Sequence, residues 1–359
     1  MKIGVNSRIY QSSNSGIQYS IKMLYKSLIS SDKNNEYIFF QTSDNKRIGK
    51  TRILNLKVFP FSSALFDLFL INILLKREKL DIFHGPSNIL PFFKLKKVKY
   101  LLTVHDLSSI LFKKNHSHLF NLFFFWGIWK SLSNADIIVT PSQSTKKDII
   151  NIYKIPEEKI KVVYWGVNKF YFNKSKIKRI VNDKYFFSLT THSKRKNIMT
   201  ILKVFAANKH LKKFKYVIAG LVSVNQLVNL RKEIERLRLT GRVLILGYVT
   251  EKQLKNLYEN AEFFIYPSFY EGFGFPVLEA MICKCPVITS NNSSLVEITP
   301  NDDWLIDPYD IENISVKIDR LLSLAKKERL KLVNNNYDFA KNFTWEKTAK
   351  KYLNIFKVV

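Results

Sequence analysis

Short apolar runs rich in β-branched and aromatic residues punctuate the chain, with longer stretches between them in which apolar side chains recur at helical spacing. In the first half the runs fall at residues 2–5, 37–41, 81–84, 100–104, 136–140 and 161–164. In the second they fall at 185–189, 216–219, 243–246, 262–266, 286–289 and 304–306. Strand–helix–strand alternation of this kind predicts parallel sheets covered on both faces. It occurs twice, so the chain reads as an α/β protein of two doubly wound domains. Residues 168–183 are rich in Lys and Asn and lack a clear period. That places the boundary there, with domains at 1–170 and 171–343. In the last segment, 344–359, Thr344 suits a helix N-cap, and Trp345, Ala349, Tyr352, Leu353 and Phe356 follow at helical spacing. A terminal helix packing back on the first domain is expected.

Composition changes this picture little. At 359 residues and 46% apolar content the chain is too long for one ordinary core and suits two. The two cysteines, Cys283 and Cys285, stand one residue apart without a second ligand pair, so neither a zinc site nor a disulfide is expected. They fit a reducing cytoplasm. The opening Met-Lys-Ile-Gly-Val-Asn reads as a strand rather than a signal peptide, since no apolar region follows it. Stretches 61–75 and 119–129 are the most apolar, and both fall short of the roughly 18–20 uncharged residues of a spanning helix.

The net charge of +29 comes mostly from Lys spread along the chain, with clusters at 94–99 and 212–215. It is as well explained by coding bias as by function. No nucleic-acid module accompanies it, so a basic nucleic-acid-binding protein is the weaker reading. The aromatic run 119–129, flanked by Lys113, Lys114 and Lys130, reads either as a helix at a bilayer interface or as a buried helix leading into strand 136–140. Burial is favoured.

In open parallel sheets, ligands bind in loops at the carboxyl ends of strands. The richest such loop follows strand 262–266 and contains Glu271-Gly272-Phe273-Gly274-Phe275-Pro276-Val277-Leu278-Glu279. Pro276 suits the first position of a helix. The glycines let backbone approach a ligand, and amides near Phe273, Gly274 and Phe275 would face an anion. Glu279, expected in the first helical turn, could accept two ribose hydroxyls, and Glu271 could reach a sugar. Either Glu alone is better explained as a solvated or dipole-complementing acid; their combination with the strand, Pro and Gly is not. After strand 185–189 come Lys194-Arg195-Lys196-Asn197, and basic side chains at such a turn suit a diphosphate. His105, after strand 100–104, and Gly16, opening a helix after Asn14-Ser15, complete the candidates. Ser294 and Glu297 have capping-box spacing and read as structural.

The Glu-x7-Glu pattern in this setting resembles the signature of glycosyltransferase family 4, retaining enzymes of the GT-B fold, and the likeness extends over nearly the whole chain. That resemblance implies two Rossmann-like domains facing across a cleft, the first on the acceptor side and the second on the donor side. Lys196 matches the family's diphosphate-binding Lys, with Arg195 beside it. His105 matches a His near the transferred sugar, Glu271 the acid on the sugar, Glu279 the acid on the ribose and Gly16 a turn near the donor phosphate. The chain departs from many members at Thr190 and Thr191, where an Arg is common.

The implied activity is transfer of a hexose, mannose favoured, from a GDP- or UDP-linked nucleotide sugar to an acceptor with retention of anomeric configuration. A lipid-linked oligosaccharide of bacterial O-antigen or capsule synthesis is the expected acceptor, at the cytoplasmic face of the inner membrane. No cofactor and no essential metal are expected, because no Asp-x-Asp pair is present. A sugar-nucleotide epimerase or a phosphorylase of the same fold is the nearest alternative.

Overall fold

The computed structural model describes residues 1–7, 16–41, 52–55, 71–112, 118–174, 177–191, 193–220 and 223–359. Asn14, Ser15, Lys113, Lys114 and residues 61–70 of the first apolar stretch lie outside the described residues. The chain forms two units. One comprises Met1–Gly166 with Thr344–Val359, the other Val167–Phe343.

The first unit holds strands β1 (Lys2–Asn6), β2 (Glu36–Gln41), β3 (Arg52–Asn55), β4 (Ile82–Gly85), β5 (Lys99–Thr103), β6 (Ile137–Thr140) and β7 (Ile160–Val162), in the order β3-β2-β1-β4-β5-β6-β7. The second holds β8 (Tyr185–Leu189), β9 (Lys215–Ala219), β10 (Val243–Gly247), β11 (Phe264–Tyr266), β12 (Val287–Ser290) and β13 (Leu305–Ile306), in the order β10-β9-β8-β11-β12-β13. All described pairings are parallel. Central strands such as β4 and β12 are buried at every position, as two-sided helix cover requires.

The twelve expected strands are present, with ends that differ by at most two residues. β3 was not expected: it is a four-residue edge strand, Arg-Ile-Leu-Asn, too short and too polar to show a pattern. Residues 168–183 lie within the second unit, which begins at Val167. They lack a period because the helix Glu251–Asn260 holds them. Lys255 Nζ donates to the carbonyls of Phe170 (3.0 Å) and Tyr171 (2.9 Å), and Asn256 Oδ1 accepts from the Ile180 amide (3.1 Å).

The terminal helix, Trp345–Val358, lies in the first unit. Its Tyr352 hydroxyl bonds Thr103 Oγ1 at 2.9 Å, and Thr103 bonds His84 Nε2 at 2.7 Å. Trp345 and Tyr352 both stack on Trp165. At its described end the run 119–129 is buried on one face only, with Ile128 in the core and Phe125 packed against it. In the helix His118–Asn134, Ile128 and Leu132 reach the core, whereas Trp126 and Trp129 are exposed. Seventeen residues of helix on a sheet can bury only one stripe.

Gly166 stands against the start of the terminal helix, and a Cβ there would meet the Trp345 amide nitrogen at 2.1 Å. A Cβ at Gly16 would meet nothing within 4 Å. Gly166→Ala should therefore destabilise the first unit by about 1–3 kcal/mol, and Gly16→Ala should change stability by less than about 0.5 kcal/mol. Chemical denaturation of both variants checks this, and equal effects would contradict the packing.

Candidate functional site

In the second sheet β8 and β11 are neighbours in space but not in sequence, and the connections leave them in opposite directions. Such a switch point opens a crevice at the carboxyl ends of the two strands. The loop after β8 carries Arg195 and Lys196, and the loop after β11 carries Glu271.

Each loop is fixed by its own bonds. Ser193 Oγ accepts from the Arg195 amide at 3.3 Å and starts the single turn Lys194–Lys196. Asn197 ends it in the left-handed region at φ 55°, which Asn tolerates, and its Nδ2 donates to Pro308 O at 2.7 Å. In the other loop the Glu271 amide donates to Ser293 Oγ (3.0 Å). Ser294 Oγ lies 2.9 Å from Glu271 O and 2.8 Å from Phe273 O. The capping-box expectation for Ser294 is thus corrected. The turn Ser293–Leu295 has no side-chain cap, and Ser294 braces the Glu271 loop instead.

Between the loops lies a buried ionic cluster. Lys196 Nζ donates to Glu271 Oε1 at 2.6 Å, and Arg195 NH1 donates to Glu271 Oε2 at 3.1 Å and to Tyr270 O at 2.6 Å. Lys196 Nζ also bonds the Tyr266 hydroxyl and sits 4.6 Å from the centre of that ring. Ser268 Oγ donates to Glu271 Oε1 at 2.6 Å. Lys196 and Glu271 are each only 6% exposed. Among the described residues the two cations share one carboxylate, Glu271. Two such cations side by side suit an anion that offers several acceptor oxygens.

Burial alone would raise the Glu271 pKa. The charges of Lys196 and Arg195, with the bonds from Lys196 and Ser268, outweigh burial and hold it below its ordinary value. Glu279 behaves oppositely. It is the fifth residue of the helix Phe275–Ile282, past the first turn where it was expected, because Gly274 is the N-cap and Pro276 comes second rather than first. Its carboxyl group faces Tyr258, at 3.5 Å, and Tyr171. Burial pushes its pKa up to about 8, the charge of Glu251 adds to this, and the two tyrosines only partly reverse it. Among the described residues Glu279 makes no direct bond to Lys196, Arg195 or Glu271.

Gly274 is at φ 108°, and a Cβ there would come within 2.7 Å of Ile298. Phe273 is buried, with its ring edge-on to Phe275. Thr190, where an Arg is common in similar chains, is also buried, with its carbonyl 2.0 Å from where a Cβ on Gly220 would lie. Side chains that position the cluster but did not stand out in the sequence are Tyr266, Ser268 and Ser293. The Pro267-Ser268 pair next to a strand end was the only local signal.

The first unit holds the other two candidates. His105, just past β5, donates from Nε2 to Pro86 O at 2.7 Å, and its amide donates to Asn88 Oδ1 at 2.9 Å. Burial lowers its pKa, so the ring is neutral, with the proton on Nε2 and Nδ1 an acceptor. Gly16 is the exposed first residue of the helix Gly16–Ser31. Neither its backbone angles nor its packing demand a glycine. Among the described residues no three His, Cys, Asp or Glu side chains are grouped to hold a metal ion. Both thiols are free, and burial raises both pKa values.

The two acids predict opposite pH effects. Glu271, with a lowered pKa, stabilises the fold above the unfolded value of about 4.3, and this is lost as pH falls through its folded pKa. Glu279, with a raised pKa, favours the fold at low pH, and this is lost as pH rises from about 4.3 towards 8. Thermal melts from pH 4 to about pH 9 should show Glu271→Gln losing most stability at neutral pH. Glu279→Gln should gain relative to the parent as pH rises. The same sign for both would refute the electrostatics.

The model described as Glycosyl transferases group 1 matches residues 170–339, and the model described as Glycosyltransferase Family 4 matches residues 16–169. The O-antigen chain mannosyltransferase B of Escherichia coli is 29% identical over 289 residues, covering 77% of this chain and 74% of that protein. The O-antigen biosynthesis glycosyltransferase WclY of Escherichia coli is 30% identical over 302 residues, covering 78% and 79%. Among solved structures, HepE of Anabaena in complex with UDP and glucose superposes with a TM-score of 0.76 at 16% identity, covering 100% of both chains. With its two halves matched by the two models of one family and its sheets in GT-B order, this chain belongs to the family 4 glycosyltransferases.

Proposed function

We propose that the chain transfers a hexose, mannose favoured, from a nucleotide sugar to a growing bacterial surface polysaccharide, with retention of anomeric configuration. The observation that carries the reading is the Lys196–Glu271–Arg195 cluster, which sets two cations beside one carboxylate at the carboxyl end of the second sheet. A diphosphate offers acceptor oxygens and about two negative charges, which such a pair of cations binds strongly. As the bond from the sugar to the diphosphate breaks, charge grows on the leaving group. Lys196, Arg195 and the backbone at Phe273, Gly274 and Phe275 would stabilise it. No metal is required in this scheme, because the two cations supply the neutralisation.

Glu271 would hold the transferred sugar. Its Oε1 is already filled by Lys196 and Ser268, so a sugar hydroxyl would use Oε2. His105 would accept a second hydroxyl at Nδ1. Glu279 would bind the ribose, and as a largely protonated acid at neutral pH it can both donate to and accept from a vicinal diol. The mannose preference and the polysaccharide acceptor are supported by the name of the Escherichia coli mannosyltransferase B, and the nucleotide-sugar donor by the ligands of HepE. A lipid-linked oligosaccharide at the cytoplasmic face of the membrane fits that acceptor class.

A thermal-shift panel of GDP- and UDP-sugars should raise Tm for one nucleotide series, with or without EDTA. Lys196→Ala and Glu271→Ala should each lower transfer by about 100-fold or more while keeping a cooperative melt. Near-normal turnover in both variants would overturn the site. Loss of activity in EDTA restored by Mg²⁺ would overturn the metal-free scheme, and NMR of the product's anomeric proton reads the stereochemistry.

A further inference from the structure

His105 has one ring nitrogen committed and one open. Its Nε2 donates to Pro86 O at 2.7 Å, and its ring centre lies 5.8 Å from that of Trp165. Asp106, the acid beside it, does not hold the ring. Asp106 Oδ1 accepts instead from the Ser108 amide (2.9 Å) and the Ser108 hydroxyl (2.7 Å). Where Nδ1 points therefore depends on the backbone at His105 and on its distance from Pro86.

Asn88 fixes both. It lies in the turn that follows β4. A Cβ on Gly85 would come within 2.5 Å of Ile89 O, so the turn is tight, and Asn88 takes a left-handed φ of 64°. The Asn88 amide donates to Thr103 O at 3.0 Å, which ties the turn to the last residue of β5. Beyond that residue the side chain takes over. Oδ1 accepts from the His105 amide at 2.9 Å, and Nδ2 donates to Asp106 O at 3.3 Å. On the other side the Val104 amide donates to Val139 O at 2.9 Å. Glycine would meet the backbone angle of Asn88 at least strain. What asparagine adds is its side-chain amide, and both ends of that amide are spent on residues 105 and 106.

We propose that Asn88 is a positioning residue for the transfer reaction. It clasps the chain at His105 so that the ring stays against Pro86 O, Nε2 keeps its proton, and Nδ1 is held as an acceptor for a hydroxyl of the transferred sugar. The inference rests on the sugar contact assigned to His105 above. A misplacement of about 1 Å in such a contact can cost roughly 100-fold in rate. A loosened clasp is therefore read in turnover more than in donor binding.

Two variants separate the clasp from the turn. Asn88→Gly keeps the left-handed backbone and removes both side-chain bonds. Asn88→Asp keeps an acceptor for the His105 amide and loses the donor to Asp106 O. Nitrogen NMR of protein labelled at histidine reads the ring without any substrate, with the His105 signals identified by their loss in His105→Gln. The parent should show a protonated Nε2 and a bare Nδ1, widely separated. In Asn88→Gly the two signals should draw together as the ring leaves Pro86 and its tautomers exchange, with Asn88→Asp in between. Unchanged His105 signals in Asn88→Gly overturn the proposal. In release of GDP from GDP-mannose, Asn88→Gly should lower kcat by about ten-fold or more, with KM within about two-fold. Adding Asn88→Gly to His105→Gln should cost nothing further. Losses that multiply in the double variant would mean that Asn88 acts elsewhere, and overturn the proposal too. Full turnover in His105→Gln would strike the sugar contact and this inference with it, leaving the Lys196–Glu271 site standing. Slow turnover in His105→Gln beside normal turnover in Asn88→Gly strikes the positioning role alone. Should Asn88→Gly fail to fold, Asn88→Asp carries both measurements.

Discussion

The Lys196–Glu271 pair, with Arg195 on the second carboxylate oxygen, is the interaction on which the second unit's site depends. Its partners come from loops after β8 and β11, 75 residues apart in sequence, and the pair joins those loops at the carboxyl end of the sheet. Removing the carboxylate would take from a buried Lys196 and a partly exposed Arg195 the anion they share. Removing Lys196 would leave Glu271 with one cation and a serine hydroxyl. Buried ion pairs seldom add stability against an apolar alternative. Here the pair holds two cations and one carboxylate together at the carboxyl end of the second sheet.

The surrounding structure supports that arrangement. Ser268 and Tyr266 supply neutral bonds that keep the cluster's geometry, and Ser293 and Ser294 tie the Glu271 loop to the loop after β12. Gly274, in a backbone conformation that side chains rarely adopt, starts the next helix at Phe275. This shifts Glu279 out of the first turn and into contact with Tyr171 and Tyr258. Two acids eight residues apart thus acquire opposite electrostatics. One is ionised among cations, and the other is protonated among phenols.

The first unit has a different polar centre. Tyr25, His84, Thr103 and Tyr352 form a continuous buried chain of hydrogen bonds linking the helix Gly16–Ser31, strands β4 and β5, and the terminal helix. Burial pushes His84 down to about 3, so it stays neutral and structural. His105, nearby in sequence, is also neutral, but with Nδ1 left as an acceptor. The same residue type is a brace in one place and a candidate sugar contact in the other, according to how many of its ring nitrogens the protein has already engaged.

What the sequence determined alone was local. Apolar runs bounded by polar turns specified the strands, their alternation with helical spacing specified parallel sheets, and the Gly-Phe-Gly-Phe-Pro segment specified a loop entering a helix. The spacing of Glu271 and Glu279 and the basic turn at Arg195 and Lys196 were legible because strand ends in parallel sheets are where ligands bind. Tertiary structure decided what each group faces. It joined Lys196 to Glu271, buried Glu279 among tyrosines, folded residues 168–183 onto Lys255 and Asn256, and left Trp126 and Trp129 in water. The reason is physical. Backbone conformation follows from neighbours along the chain, whereas burial, pairing and protonation depend on neighbours that only folding brings near.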